Sequence, residues 1–187
     1  MIIGMFFALS AYAYAEEAAK PDRAKFFTGI EYHAGFMWGK LDHKPTYRLP
    51  QIAVDFDFDL KRTVNLKIPQ LLQFQIEPFF GVSSQPGSNI ETGALFLLKL
   101  GLLPETSKFQ PFGVIGAGVD YMTLHTSEQG TQFNFIETAG IGAHYFFKKN
   151  SAFTVQGRIR HLSNCGIDTP NSGINTYSVL VGLTRLF

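Results

Sequence analysis

Eight segments of the chain alternate apolar residues with polar or small ones at a period of two. This alternation is typical of β-strands with two different faces and argues against helices over the same stretches. Several segments run to about 10–15 residues, roughly twice the usual length of a strand in a soluble domain. The pattern therefore predicts an all-β fold with long strands. The segments centre on residues 26–38, 52–59, 72–82, 94–100, 115–121, 133–147, 153–160 and 177–187.

One face of these segments is rich in aromatic and aliphatic side chains, and the chain contains 19 Phe. Only a closed sheet can cross a bilayer with strands, because every backbone polar group needs a partner there. Eight strands is the smallest usual size for an outer-membrane barrel, and side chains fill a barrel of that size. We therefore predict an eight-stranded antiparallel transmembrane β-barrel, with residues 40–50 and 83–90 as loops. The charges expected inside are Asp55, Asp57, Asp59, Glu77, Asp120, Lys99, Arg158 and Arg160.

Composition agrees with a membrane barrel better than with a soluble one. Charged residues make up 17% of the chain, against about 25% in typical soluble domains. A soluble lipocalin-like barrel is the alternative, but its inward aromatic side chains would overfill eight strands. The net charge of +1 gives no reason to expect a nucleic-acid partner. The final Phe187 resembles the assembly signature of bacterial outer-membrane barrels, so we expect the outer membrane of a Gram-negative bacterium.

The first 15 residues form an apolar run that ends in Ala13-Tyr14-Ala15. A short apolar core followed by Ala-x-Ala is typical of a secretory signal peptide. We therefore expect residues 1–15 to be a signal peptide and residues 16–187 to be the barrel domain.

His161 and Ser163 lie two residues apart at the end of the seventh segment, so both side chains point to one face. That face also carries Phe153, Val155 and Ile159, which predicts that it looks at lipid. If both termini are periplasmic, residues 164–173 form an external loop and the pair lies at the outer end of its strand. A His beside a Ser can activate the hydroxyl as a nucleophile. The simpler alternative is that both side chains only contact lipid head groups.

The sequence around this pair extends the motif. It reads His161-x-Ser163-Asn164-x-Gly166, followed by Pro170-Asn171-x-Gly173-Ile174. This pattern resembles the PagL family, lipid A 3-O-deacylases that are outer-membrane barrels. The resemblance implies that Ser163 is the nucleophile and His161 the general base. It also implies an oxyanion hole formed by Asn164 and nearby backbone N–H groups, for which we name Gly166.

The residue that orients His161 is left open by the sequence. In one member of the family, a Glu at the position that matches Asn175 orients the His. An Asn can accept a hydrogen bond from a His N–H, as it does in Cys-His-Asn proteases. Alternatively, pairing of strands six and seven through the turn at 148–151 sets Glu137 opposite His161, where an acid on the lipid-facing side needs a partner. A third reading is that Asn175 marks an inactive relative.

The resemblance implies an esterase that removes the 3-O-linked acyl chain of lipid A, the membrane anchor of lipopolysaccharide, by Ser/His catalysis. Such chemistry needs no metal and no other cofactor. The rival hypothesis is a structural or adhesive barrel without activity. Acyl-chain preference and oligomeric state, including a homodimer, are not determined by the sequence.

Overall fold

A computed structural model describes residues 26–42 and 44–187, and the predicted signal peptide lies outside these residues. Within them, eight antiparallel strands form a closed barrel in which each strand pairs with its neighbours in sequence and β1 pairs with β8. The predicted fold class is therefore confirmed. The strands are β1 Phe27–Leu41, β2 Lys44–Asp59, β3 Gln70–Ser83, β4 Asn89–Pro104, β5 Phe109–Met122, β6 Phe133–Lys148, β7 Ser151–Ser163 and β8 Ile174–Leu186, and one short helix, α1 Leu60–Thr63, follows β2.

The strands are long enough to cross a membrane. Each contains 13 to 16 residues. At about 3.4 Å per residue, a 13-residue strand is roughly 44 Å long, and a tilt of about 45° lets it cover about 30 Å of hydrocarbon. Among the described residues, no helix is long and apolar enough to cross a membrane.

The two faces of the barrel have opposite chemistry. Large apolar side chains point outward, as at Ile52 and Ile115, which are each 60% exposed. The interior contains buried charged and polar groups together with a smaller apolar cluster around Leu49 and Leu97. A polar interior and an apolar exterior suit a barrel that is surrounded by lipid.

Ion pairs hold most of the interior charges. Arg158 donates two hydrogen bonds to Glu77, at 2.7 and 2.6 Å, and Lys99 donates to Glu31 at 2.6 Å. Arg160 pairs with Glu91 in the same way. Pairing of this kind offsets the cost of removing each charge from water. It accounts for the three inward cations that the alternation predicted.

Asp59 lies on the inward side at the end of β2, where it is half-buried and lines the cavity at that rim together with Gln73. Its carboxylate accepts a hydrogen bond from the N–H of Lys61 at the start of α1. One detail differs from the prediction. Residues 44–50, expected to be part of a loop, belong to β2 and pair with β1. The strand continues beyond its lipid-facing apolar part. Because polar residues and prolines occur there, the pattern of apolar outward side chains does not reach the end of the strand.

Candidate active site

His161 and Ser163 end β7 at the rim of the barrel that lies opposite the described chain ends. Both side chains point outward, on the same side as Phe153 and Ile159, which are each 57% exposed. The outward face that the alternation predicted is therefore the one observed. In the register of the sheet, His161 pairs with Asn175 of β8 on one side and with Glu137 of β6 on the other.

Asn175 holds the imidazole of His161. The Nδ1 atom of His161 lies 2.8 Å from the Oδ1 atom of Asn175. An amide oxygen can only accept a hydrogen bond, so Nδ1 carries the proton in this pairing. In a neutral ring the lone pair is then on the other nitrogen, Nε2, as a general base requires.

Glu137 occupies the position that the turn at 148–151 predicted. It is directly opposite His161 in the register, and its side chain is exposed on the outer surface. Within the described part of the chain, Glu137 makes no hydrogen bond or ion pair with His161. Of the two candidate orienting residues, Asn175 is thus the one that is hydrogen-bonded to the ring.

The hydroxyl of Ser163 is held by the loop that follows it. It donates to Oδ1 of Asn171 at 3.1 Å and accepts from the N–H of Cys165 at 3.1 Å. A direct hydrogen bond between His161 and Ser163, which their spacing led us to expect, is not formed among the described residues. Catalytic hydrogen bonds are often long or unformed without substrate.

Asn164 organises the loop and is fully buried. Its side-chain NH₂ donates to the carbonyls of Asp168 and Pro170, at 2.9 and 3.2 Å, and its side-chain oxygen accepts from the N–H of Gly166 at 2.9 Å. Its own N–H donates to Asn171 at 2.9 Å. The donors of Asn164 and Gly166, which the motif assigned to an oxyanion hole, are therefore engaged within the loop.

Gln129 is a site residue that sequence reasoning missed. It lies in the loop between β5 and β6, where its side-chain oxygen accepts from the N–H of Asn164 at 3.1 Å and its NH₂ donates to the carbonyl of Leu162 at 3.4 Å. Next to it, the N–H of Gly130 donates to Pro170 at 2.7 Å. No local spacing relates residues 129 and 164, so only the closed sheet reveals this contact. Asn171 was part of the motif, but its contact with Ser163 was not foreseen.

Gly173 packs against the imidazole. Its φ is +80°, and a Cβ atom added there would lie 2.4 Å from Cε1 of His161. Gly166 also has a positive φ, +79°. Both positions need a backbone conformation that other residues adopt with strain. At residue 173 the missing side chain also makes room for the ring of His161.

A groove on the outer surface begins at His161. It is lined by Glu137, Ala139, Ile159, His161 and Tyr177, among others, and encloses about 570 Å³. A separate cavity of about 500 Å³ opens at the opposite rim, near Lys61 and Phe187. Of the two, the groove is the one that adjoins His161.

The interior contains a cluster that has metal-ligand chemistry. The ligand atoms of Glu31, His33 and Asp55 lie within 4.8 Å of one another, and all three groups are buried. His33 Nε2 lies 3.2 Å from Asp55 and 3.3 Å from Glu31, and Lys99 pairs with Glu31. These contacts account for the cluster as an ion-pair network. It faces the inside of the barrel, whereas His161 faces outward.

A family model described as lipid A 3-O-deacylase (PagL) matches residues 52–184. The chain belongs to the PagL family. The matched region includes His161, Ser163, Asn164 and Asn175. Comparison with curated protein sequences finds no significant match.

Solved structures share the PagL-type barrel. The outer-membrane enzyme PagL has a TM-score of 0.63 at 17% identity, over 82% of this chain and 97% of the other. Neisserial surface protein A has a TM-score of 0.57 at 9% identity, over 86% and 97%. OprG, an outer-membrane protein from Pseudomonas aeruginosa, has a TM-score of 0.51 at 12% identity, over 87% and 97%. These likenesses show the fold, and together with the family they place the protein in the Gram-negative outer membrane.

Proposed function

We propose that this PagL-family protein is a serine esterase that removes the 3-O-linked acyl chain of lipid A. The observation that carries the proposal is the hydrogen bond from Nδ1 of His161 to Asn175. In a neutral ring it puts the lone pair on Nε2, on the lipid-facing surface and two residues from Ser163. A polar pair at that place is costly unless it has a function.

In the proposed reaction, the hydroxyl oxygen of Ser163 attacks the carbonyl carbon of the acyl ester while Nε2 of His161 takes the hydroxyl proton. The tetrahedral intermediate collapses as His161 returns that proton to the 3-oxygen of the sugar, which leaves as an alcohol. A water molecule, deprotonated by His161, then attacks the acyl-enzyme. The products are a free fatty acid and the restored Ser163.

The negative oxygen of the intermediate needs hydrogen-bond donors near Ser163. The motif assigns this role to Asn164 and Gly166, which would have to exchange their present loop contacts for contacts with substrate. The side chain of Asn171 already lies beside Ser163, since its oxygen accepts a hydrogen bond from the Ser163 hydroxyl. Its NH₂ group makes no hydrogen bond among the described residues, so it can donate without a rearrangement of the loop.

The outward location suits a membrane-bound substrate. Lipid A lies in the outer leaflet with its sugars at the membrane surface, and it can reach the rim of the barrel by lateral diffusion. A water-soluble ester would need no such placement. This argument supports a lipid ester, and the family supports lipid A in particular.

The test is mass spectrometry of lipid A that carries a 3-O-acyl chain, incubated in detergent with the purified, folded protein. We expect the wild type to remove one ester-linked chain and Ser163→Ala and His161→Asn to remove none. Ser172→Ala, in the same loop, is the matched control and should retain activity. If the folded wild type leaves the lipid unchanged, the esterase proposal is wrong and the structural or adhesive barrel is favoured.

A further inference from the structure

Two acids and a histidine lie side by side on the inner wall of the barrel. Glu31 and His33 are two residues apart on β1, so both side chains point inward, and Asp55 on β2 is the register partner of Glu31. Each of the three residues is at most 4% exposed. Like charges directly opposite each other on paired strands destabilise a sheet. Glu31 and Asp55 therefore need a positive group between them.

The lysines and arginines of the inner wall do not balance the charge of this group. Lys99 pairs with Glu31, whereas among the described residues no lysine or arginine forms an ion pair with Asp55 or with the neighbouring Asp57. With a neutral His33, these three acids and Lys99 leave a surplus of two negative charges. A proton on His33 removes one of them. A divalent cation at the same place removes both.

Three carboxylate oxygens of the group accept no hydrogen bond among the described residues. They are Oε2 of Glu31, Oδ1 of Asp55 and Oδ2 of Asp57, and all three atoms are buried. Oε2 of Glu31 points at the histidine, since it lies 3.3 Å from Nε2 of His33. Nε2 is also 3.2 Å from Oδ2 of Asp55, and its single proton cannot be donated well to both oxygens. Buried acceptors without a donor are costly, so the arrangement favours a bound cation.

The distances match those around a zinc ion. Nitrogen and oxygen ligands lie about 2.0–2.1 Å from a tetrahedral zinc ion, which places neighbouring ligand atoms about 3.3 Å apart. Nε2 of His33 has this spacing from both Glu31 and Asp55, and the three ligand atoms all lie within 4.8 Å of one another. An imidazole together with two carboxylates favours a zinc-type ion over calcium or magnesium, which prefer oxygen ligands alone.

The cavity at the rim of the chain ends leads to this group. It encloses about 500 Å³, and Glu31 is among the residues that line it. An ion can therefore reach Glu31 through the cavity, and a water molecule from the cavity can complete a tetrahedral set of four ligands.

We propose that Glu31, His33 and Asp55 bind a divalent cation of the zinc type, which replaces the proton on Nε2 of His33. The ion-pair network described above is then the proton-bound form of the same site. Because the ligands come from β1 and β2, the bound ion joins two strands and stabilises the folded barrel. The proposal does not depend on the esterase function, since these residues face inward and His161 faces outward.

The first experiment measures zinc binding by the full-length, folded protein in detergent, after treatment with a chelator. Equilibrium dialysis against zinc chloride, followed by metal analysis, should show saturable binding of one ion per barrel. Asp55→Asn keeps the shape of the side chain and removes its charge, and His33→Gln removes the nitrogen ligand. Each variant should weaken zinc binding at least about tenfold. A folded wild type that binds no zinc would overturn the proposal.

Two control variants separate this site from the other histidines. His144→Gln changes a buried histidine whose Nε2 lies 3.7 Å from Oε1 of Glu31, the oxygen that Lys99 binds. His161→Asn removes the imidazole on the outer surface. Both variants should bind zinc as the wild type does. If His161→Asn abolishes binding and His33→Gln does not, the ion binds outside the barrel and the proposal is wrong.

The second experiment gives an answer even if the inner-wall variants fail to fold. Co²⁺ in a tetrahedral site absorbs visible light much more strongly than hydrated, octahedral Co²⁺. Folded wild-type protein should develop this stronger absorption with Co²⁺ and lose it when Zn²⁺ is added. Zn²⁺ should also raise the urea concentration at which the wild type unfolds. If the spectrum remains that of hydrated Co²⁺ and the unfolding midpoint does not change, the inner wall is an ion-pair network alone.

Discussion

The side-chain oxygen of Asn175 accepts a hydrogen bond from Nδ1 of His161 at 2.8 Å, so a neutral amide stands where many serine hydrolases have a carboxylate. The amide fixes the tautomer and the orientation of the ring as a carboxylate does. In the proposed reaction it would stabilise the imidazolium less well than a carboxylate, because a hydrogen bond to a charged acceptor is roughly twice as strong.

Substitution of Asn175 should therefore change activity in two directions. Asn175→Leu has nearly the same shape but cannot accept the hydrogen bond, and we expect kcat/KM to fall about a hundredfold. Asn175→Asp supplies a charge at the same place and should raise kcat about tenfold, equivalent to about 1.4 kcal/mol. Steady-state kinetics on one ester, with circular dichroism to check folding, would measure both. A leucine variant as active as the wild type would exclude Asn175 as the orienting residue.

Substitution of Glu137 should lower kcat much less than substitution of Asn175. It faces His161 in the register but makes no hydrogen bond with it. We expect Glu137→Gln, which keeps the shape and removes the charge, to stay within about twofold of wild-type kcat, as is usual for a side chain that does not contact the base. Kinetics of the double variant Glu137→Gln/Asn175→Leu provide the comparison. A large loss in Glu137→Gln alone would move the orienting role to this residue.

The barrel could be predicted from sequence because the pattern that indicates it lies within each strand, among residues close together in the chain. Alternation within each strand decides which side chains face lipid, and it placed His161, Ser163 and Phe153 on the outer surface. The pairing of Glu137 with His161 also followed from one short turn, since register propagates along an antiparallel pair. These features depend on neighbours in sequence or on a single hairpin.

The loop chemistry could not be predicted in this way. Gln129 reaches Asn164 from another hairpin, and Asn171 reaches Ser163 through a loop whose path depends on that contact. Likewise, Glu31 and Glu91 pair with Lys99 and Arg160 across the interior. Such contacts arise when the barrel closes, and no spacing in the sequence records them.

Gly173 should be needed for the position of the imidazole. Gly173→Ala puts a methyl group 2.4 Å from the ring of His161 and also strains a backbone with φ of +80°. We expect kcat/KM to fall at least tenfold, because the ring must move away from its place beside Ser163. Gly87→Ala is the control, since Gly87 also has a positive φ but an added Cβ meets nothing closer than 3.9 Å. Comparable kinetic losses in both variants would attribute the effect to backbone strain alone.

Arg158 and Glu77 should contribute to the stability of the barrel as a pair. Removing one of them should therefore lower the free energy of unfolding more than removing both. Both are buried, at 5% and 2% exposure, and two hydrogen bonds join them. Arg158→Leu leaves the Glu77 carboxylate without a partner and should lower the free energy of unfolding by about 3–5 kcal/mol. The double variant Arg158→Leu/Glu77→Leu removes both charges and should recover much of that loss. Urea unfolding in lipid vesicles would measure the difference.

Lys61→Ala is the control, because it breaks an ion pair with Glu105 at the rim and should lower the free energy of unfolding by only about 1 kcal/mol or less. If the double variant is as unstable as Arg158→Leu, the loss comes from packing of the arginine side chain, and the interior charges do not need to be balanced in this barrel.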